Sequence, residues 1–270
     1  MENGAFALID CLGFKGIWRR MEEENPRPLI DNLLQIEKHI KKHVDDNDGI
    51  FGGLESSGFK CGVQLLSDTV AISLKPDVER LKKKMDESLI PGLIVLKLCD
   101  VVTEVLPLFW QNEPPLVMRG CISFGKHESE RQFIVGPAVD RAAEHETLAN
   151  GAFVWLLPEA ARQITRVMED LVAHVAKASG IKPEDIRDVI AASVLDFKYP
   201  MPIKGGEILN CAVINPLCKA SDENEANSII ARYASSMEGD PVPIQIKRQN
   251  TLKMLTEAAK RAAEVRNLPG

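Results

Sequence analysis

The sequence predicts an α+β protein: a mainly antiparallel sheet flanked by helices, with a helical C-terminal extension. Three observations predict this. Short apolar runs alternate with period two and join through tight polar breaks, as in Phe59–Leu74. Longer runs with helical spacing interleave with them, as in Leu29–Val44 and Leu89–Phe109. Beyond Pro216 the strand pattern stops and only helical stretches follow. Hairpin-linked strands interleaved with helices belong to this class.

The first strand, Ala5-Phe-Ala-Leu-Ile-Asp10, is too apolar to alternate cleanly, which marks it as buried. Gly13 and Gly16 follow, and Phe14–Arg20 opens a helix that Pro26 and Pro28 interrupt. Leu29, Leu33, Ile36, Ile40 and Val44 then form one helical face. His39 and His43 sit one turn apart on that helix. They lack a third metal ligand and lie among lysines, so they read as a solvated face. A polar, glycine-rich loop over 45–53 leads into the hairpin. There Val63 and Leu65 alternate with Gln64, and Val70, Ile72 and Leu74 with Ala71 and Ser73. Ser67-Asp68 makes the turn, where aspartate is at home.

Pro76 starts a charged helix running to Lys84, and Leu89–Phe109 forms a long buried one that Pro114-Pro115 ends. Leu116–Gly125 is a buried strand, 126–131 a polar turn and 132–135 its partner strand. Pro137–Leu148 is a helix, Phe153–Leu157 a short strand, and Pro158 opens a helix through Lys177. Glu184–Ala191 is helical. Val194–Ile203 is extended, and its Pro200 and Pro202 suit a sheet edge. Lys204-Gly205-Gly206 turns into the last strand, Glu207–Ile214. Glu223–Ser236 and Asn250–Arg266 are helices, separated by a loop holding Gly239, Pro241 and Pro243. The expected division is a main domain over 1–218 and a helical extension over 219–270 packed on the same core.

At 270 residues the chain can bury a full core. Its net charge of −6 argues against a nucleic-acid coat or a polybasic membrane binder. No basic region and apolar core of a secretory leader is found at the start. The most apolar stretch, near Leu89–Trp110, carries Lys97, Asp100 and Glu104, so no membrane span is expected. The six cysteines show neither a CxxC pair nor zinc spacing. Cys11, Cys61, Cys99, Cys121 and Cys211 lie in apolar surroundings and read as buried free thiols of a cytoplasmic protein.

Two carboxylates carry the chemistry. Asp10 lies inside an apolar strand, and a buried carboxylate is costly unless paired, hydrogen-bonded or on a metal. A strand bearing Asp, then a glycine turn and a helix start, suits phosphate and Mg²⁺. If the first strand pairs beside the hairpin, Asp10 and Asp68 converge. They could then hold two cations roughly 4 Å apart for displacement at phosphorus. Asp68 taken alone reads as a turn residue. Arg119 interrupts the run Leu116–Phe124; it either snorkels from an edge strand or meets a phosphate or carboxylate. Lys204, on its glycine turn, either reaches a phosphate or faces solvent.

From about Gly4 to Pro216, these residues resemble a class III nucleotide cyclase catalytic domain. The resemblance is carried by Asp10-Cys-Leu-Gly-Phe14, Asp68 at the hairpin tip, Arg119-Gly-Cys-Ile-Ser-Phe-Gly125, Gly136-Pro-Ala-Val-Asp-Arg-Ala-Ala143 and Lys204-Gly-Gly-Glu207. It departs from the purine cyclases. Where these carry Asn and Arg four apart, this chain has Asp140 and Glu144, and at the base-reading positions it has Gln64 and Phe133. The subgroup it resembles most is the pyrimidine cyclases of bacterial Pycsar anti-phage defence, through Arg119-Gly120 and Gly136-Pro137-Ala138.

The resemblance implies a metal-dependent cyclase with two divalent cations, Mg²⁺ or Mn²⁺, on Asp10 and Asp68. It implies triphosphate contacts from the backbone of Leu12, Gly13 and Phe14 and from Lys204. Arg119 would replace the missing arginine, and Gln64 and Phe133 would read the base. The substrate would be UTP first and CTP second, and the cyclic product would activate a separate effector. The enzyme would be a homodimer with sites at its interface, in the cytoplasm, with no nucleic-acid or membrane partner. Other readings are a cyclase-like binding or regulatory module without activity, a purine cyclase, and an unrelated two-metal phosphohydrolase or nucleotidyl transferase.

Overall fold

The computed structural model describes residues 1–12, 27–45, 58–83, 85–111, 116–131, 133–179, 182–235 and 242–266. The expected helix opening at 14–20, most of the loop over 45–53, the Pro114-Pro115 break, and Gly13 and Phe14 lie outside the described residues. In chain order the elements are β1 (Glu2–Leu12), α1 (Arg27–Asp45), β2 (Phe59–Leu66), β3 (Thr69–Pro76), α2 (Val78–Leu81), α3 (Ile90–Trp110), β4 (Val117–Glu130), β5 (Phe133–Val135), α4 (Pro137–His145), β6 (Val154–Leu156), α5 (Pro158–Ser179), α6 (Pro183–Ala191), β7 (Val194–Pro202), β8 (Ile208–Ile214), α7 (Glu223–Ser235) and α8 (Val242–Arg266).

The strands form one sheet in the order β2–β3–β1–β4–β6–β8–β7, with β5 on the far part of β4. β4 and β6 run parallel, and the other described ladders are antiparallel. The fold is α+β on a mainly antiparallel sheet. β1 lies inside the sheet, with β3 on one side and β4 on the other. Its side chains from Ala5 to Ile9 are therefore buried on both faces, and the strand reads as an unbroken apolar run. β7 takes the edge, where the missing N–H groups of Pro200 and Pro202 cost least.

α3 is apolar on all sides because it is covered on all sides. It packs on β1, β3 and β4 and is itself overlaid by α1 and α5. Leu93, Ile94, Val95, Leu98, Val101, Val102 and Val105 are all fully buried. α1 turns Leu29, Ile36, Ile40 and Val44 inward, with Leu33 partly buried. Ala226, Ile229 and Tyr233 of α7 and Met254, Leu255 and Ala258 of α8 belong to the same buried cluster as the sheet. Among the described residues no helix is long and apolar enough to cross a membrane.

Four local expectations are corrected. β4 runs on through the expected turn at 126–131 as far as Glu130. The reason is that its polar side chains have partners on β3. The His127 ring is buried: its Nδ1–H donates to Gly125 O at 3.1 Å and its Nε2 accepts from the Ser73 hydroxyl at 2.8 Å. Glu128 pairs with Lys75. α8 begins at Val242 rather than Asn250. Pro243 sits in its first turn, where a missing N–H breaks no helical bond. His43 is not on a solvated face, because its Nε2 lies 2.9 Å from Asp100 Oδ2 of α3, while His39 lies 3.5 Å from Glu104. Cys61 is only half-buried; Cys11, Cys99, Cys121 and Cys211 are buried free thiols, as expected.

Candidate active site

Asp10 stands near the end of β1, between Thr69 on β3 and Arg119 on β4. Thr69 follows Asp68 directly, and the Cys11 amide donates to Asp68 O at 2.9 Å. The hairpin tip is thus tied to the residue after Asp10. Ser67 reaches the tip with a φ of 60°, which is why the turn needs so few residues. Arg119 Nη2 donates to Asp10 Oδ2 at 3.2 Å, and the two side chains are only 11% and 18% exposed. The Thr69 hydroxyl lies 3.5 Å from Asp10 Oδ1. Arg119 therefore does not snorkel to solvent. Its Nε is buried without a hydrogen-bond partner among the described residues.

α4 lies over this same face of the sheet. Ser123 Oγ donates to Ala138 O at 2.7 Å, and the Cys121 thiol to Ala142 O at 3.4 Å. Two residues along β4 thus match four along α4. Glu146, in the turn that closes α4, follows one turn after Ala142, and the charge of Arg119 acts on it. Lys204 arrives by a second route. Its amide donates to Leu148 O at 3.0 Å, and Ile203 bridges to Ala149. Gly205 and Gly206 make that turn at φ of 97° and 89°, a region that favours glycine.

The charges feel one another. Burial raises the proton affinity of Glu146, Asp10 and Asp68 raise it further, and Arg119 and Lys204 oppose them. Lys204 shifts the other way, through burial, then Arg119, then Lys247 of α8, with Asp10 and Glu146 opposing. Asp10 and Arg119 are in contact, and Asp68, Glu146, the exposed Lys204 and Lys247 stand near enough for their charges to act on this neighbourhood. Glu146 and Lys247 were missed from sequence. A glutamate in a helix-closing turn and a lysine on an amphipathic helix carry no signal that separates them from surface residues.

Gln64 and Phe133 are brought together, but not to this cluster. The β4–β5 arm folds back along β2: a Cβ on Gly62 would meet Ser129 Oγ, and Gln64 Nε2 donates to Arg131 O at 2.6 Å. Phe133, two residues on, is 62% exposed. Gln64 is separated from Asp10 by two strand spacings and two residues, about 12 Å on ordinary sheet geometry. Leu12 ends β1 buried against Val117. Asp140 and Glu144 are exposed on α4.

Among the described residues no group of three or more His, Cys, Asp or Glu side chains could hold a metal ion. The chemistry of Asp10 and Asp68 nevertheless fits a hard cation. Each carboxylate oxygen has two lone pairs, so Arg119 and Thr69 leave acceptor positions on Asp10. Mg²⁺ is ordinarily held by one or two carboxylates, with water and substrate phosphate completing its shell.

No family model matches the chain, and no curated protein matches it. Several solved structures share similarity of shape. One is the dimeric guanylyl cyclase domain of the RhoGC fusion protein from the aquatic fungus Blastocladiella emersonii. It is 12% identical over 62% of this chain and 85% of its own, with a TM-score of 0.43. A rhodopsin-guanylyl cyclase catalytic core with converted specificity, in complex with ATPalphaS, covers 79% of this chain and 95% of its own. Its identity is 12% and its TM-score 0.43. An adenylate cyclase of Trypanosoma brucei in its monomeric state covers 79% and 90%, at 14% identity and a TM-score of 0.38.

Proposed function

We propose that this chain is a metal-dependent nucleotide cyclase, converting a nucleoside triphosphate to its 3′,5′-cyclic monophosphate and pyrophosphate. The observation that carries the reading is the pairing of Asp10 with Arg119 beside the Asp68 turn. It sets two carboxylates and a guanidinium at one end of the sheet, where the exposed Lys204 feels the charges of Arg119 and Asp10. That combination suits a polyphosphate and the cations that accompany it. The sequence resemblance over residues 4–216 supports the same chemistry.

Asp10 and Asp68 would hold the two divalent cations. When bound, these supply Lewis acidity that makes the ribose 3′-hydroxyl more acidic and neutralises the leaving pyrophosphate. Arg119 fixes the Asp10 carboxylate and offers its remaining N–H groups to phosphate oxygens. Lys204 adds charge at the tail. The 3′-oxygen attacks the α-phosphorus of its own nucleotide, the bond from that phosphorus to the bridging oxygen breaks to release pyrophosphate, and the hydroxyl proton passes to solvent water. Nucleophile and electrophile sit in one molecule, so the chain mainly holds ribose and phosphates in line.

The preferred substrate in this reading is UTP, with CTP second. Gln64 spends its N–H on Arg131 O and leaves its carbonyl oxygen to accept from uracil N3–H. Phe133 offers an exposed apolar wall that narrows the space for a base. Because this pair lies apart from Asp10, a complete site draws it from a second copy in a two-fold homodimer. Residues 1–218 form the cyclase domain, and α7 and α8 of the extension over 219–270 pack on it. The cyclic product acts as a second messenger on a separate effector, as the anti-phage resemblance implies.

A second reading is favoured by the exposed Asp140 and Glu144, where purine cyclases carry Asn and Arg: a cyclase-like module without turnover. Incubation with equimolar ATP, GTP, CTP and UTP and Mn²⁺, read by mass spectrometry, tests both. Cyclic UMP as the main product is expected. Dominant cyclic AMP or cyclic GMP overturns the pyrimidine assignment. No cyclic product from any of the four overturns the cyclase reading.

A further inference from the structure

We propose that the C-terminal helix α8 is part of the anion-binding end of this site, with Lys247 joining Arg119 and Lys204 around the phosphate chain of the ligand. The nucleotide rests on the cyclase reading; the anion chemistry stands on the geometry that follows.

α8 is anchored where the site residues meet. The Ala152 amide donates to Thr251 Oγ1 at 2.8 Å, and that hydroxyl donates to Lys247 O at 2.8 Å. Asn250 Nδ2 donates to Asn150 O at 2.8 Å. Thr251 is fully buried. A Cβ on Gly151 would stand 2.5 Å from the Phe153 ring and 3.0 Å from Thr251 Oγ1, so the close approach of helix and loop requires glycine.

The same loop carries the rest of the site. Asn150 N donates to Pro202 O at 2.8 Å, and Gly120 N to Phe153 O at 2.9 Å. One backbone junction therefore joins the strand bearing Arg119, the turn bearing Lys204 and the helix bearing Lys247. Lys247 lies one helical turn before Thr251, on the face that meets the loop. Its charge acts on Lys204, as does that of Arg119.

Among the described residues no carboxylate lies within ion-pair distance of Lys204 or Lys247, and Asp10 is engaged by Arg119. Asp10 and Glu146 offset the charge of the three cations only in part, since Arg119 and Lys247 outweigh them at the exposed Lys204, and the two lysines remain open to a further anion. A chain of phosphates is the anion whose length and charge match three separate cations. It is either the tail of the substrate or free pyrophosphate.

The test titrates the full chain calorimetrically with inorganic tripolyphosphate, without divalent cation. A parallel arm measures nucleoside triphosphate turnover. Binding by the parent chain is expected to weaken about tenfold or more in Lys247→Ala. Lys247→Arg should recover most of it, and Lys253→Ala, at an exposed position of α8, should match the parent. Unliganded melting temperatures should agree among all four proteins. In turnover, Lys247→Ala should raise KM more than it lowers kcat. Equal tripolyphosphate binding by the parent and Lys247→Ala overturns the inference, as does absence of binding by the parent. If tripolyphosphate binding depends on Lys247 but no triphosphate is cyclised, the inference stands and the cyclase reading falls. If cyclisation proceeds with KM and kcat unchanged in Lys247→Ala, the cyclase reading stands and the inference falls.

Discussion

Arg119 Nη2 stands 3.2 Å from Asp10 Oδ2, and the two residues are direct partners in the β1–β4 ladder. An arginine is a rigid donor fork, so the contact holds the carboxylate in one orientation at the end of a strand whose other side chains are packed. Asp68 has no such partner among the salt bridges of the described residues. Its backbone, rather than its side chain, is tied to β1. The two carboxylates therefore differ in what they do for the fold, although the proposed chemistry needs both.

Asp10→Asn and Asp68→Asn are each expected to lower cyclase turnover by on the order of 10² or more, since each removes a charged oxygen ligand from a hard cation. They should part in stability. Asp10→Asn leaves the enclosed Arg119 facing a neutral amide and should cost about 1–2 kcal/mol in urea unfolding. Asp68→Asn, in a half-exposed turn, should be near neutral. Normal turnover in either folded variant would remove that residue from the site.

Subunit mixing tests the sharing of sites. Asp10→Asn alone and a Gln64→Ala/Phe133→Ala double variant should each turn over poorly. Mixed after mild dissociation, they should recover part of the activity, because one site in each heterodimer takes Asp10 from one chain and Gln64 with Phe133 from the other. Light scattering that shows an active monomer, or a mixture no better than its components, contradicts the arrangement.

His127 predicts a pH effect. Burial lowers its proton affinity first and Lys75 adds to this, against Gly125 and Glu128, so it falls below the ordinary 6.5. The unfolded chain then binds the proton more tightly than the folded one. The stability this contributes is fully present above pH 6.5 and is lost as pH falls through the folded value. Urea unfolding at pH 7.5 and 5 should show this loss in the parent chain, and His127→Gln should show less of it. An identical pH dependence in the two would assign the effect elsewhere.

Asp100 predicts a structural effect away from the site. Burial alone would raise its proton affinity, but His43, Lys219 and Lys97 outweigh it, and the carboxyl stays well below the usual range. Lys219 Nζ lies 2.7 Å from one oxygen and His43 Nε2 2.9 Å from the other. Asp100→Asn leaves the nearly enclosed Lys97 without its counter-charge and should destabilise by about 3 kcal/mol. A change under about 1 kcal/mol would show that the network adds little.

The two strands of the hairpin were legible in the alternation of Val63, Gln64 and Leu65 and of Val70 to Leu74. Their faces were not: β3 lies between β2 and β1, so Ala71 and Ser73 are buried along with Val70, Ile72 and Leu74. Asp10 was conspicuous because a carboxylate within an apolar run is costly, and that signal is local. The tertiary structure alone decided where the polar residues went. Lys126–Glu130 looks like a turn by polarity, yet His127 and Glu128 have partners on β3. His43 looks solvated, yet it meets Asp100 on another helix. The charges of Glu146 and Lys247 act on Lys204 only because α4 lies along β4 and α8 is anchored to the loop over 149–152. Burial of an apolar face leaves a period in the chain that can be read directly. The partner of a charge depends on which distant segments the packing of those faces brings together.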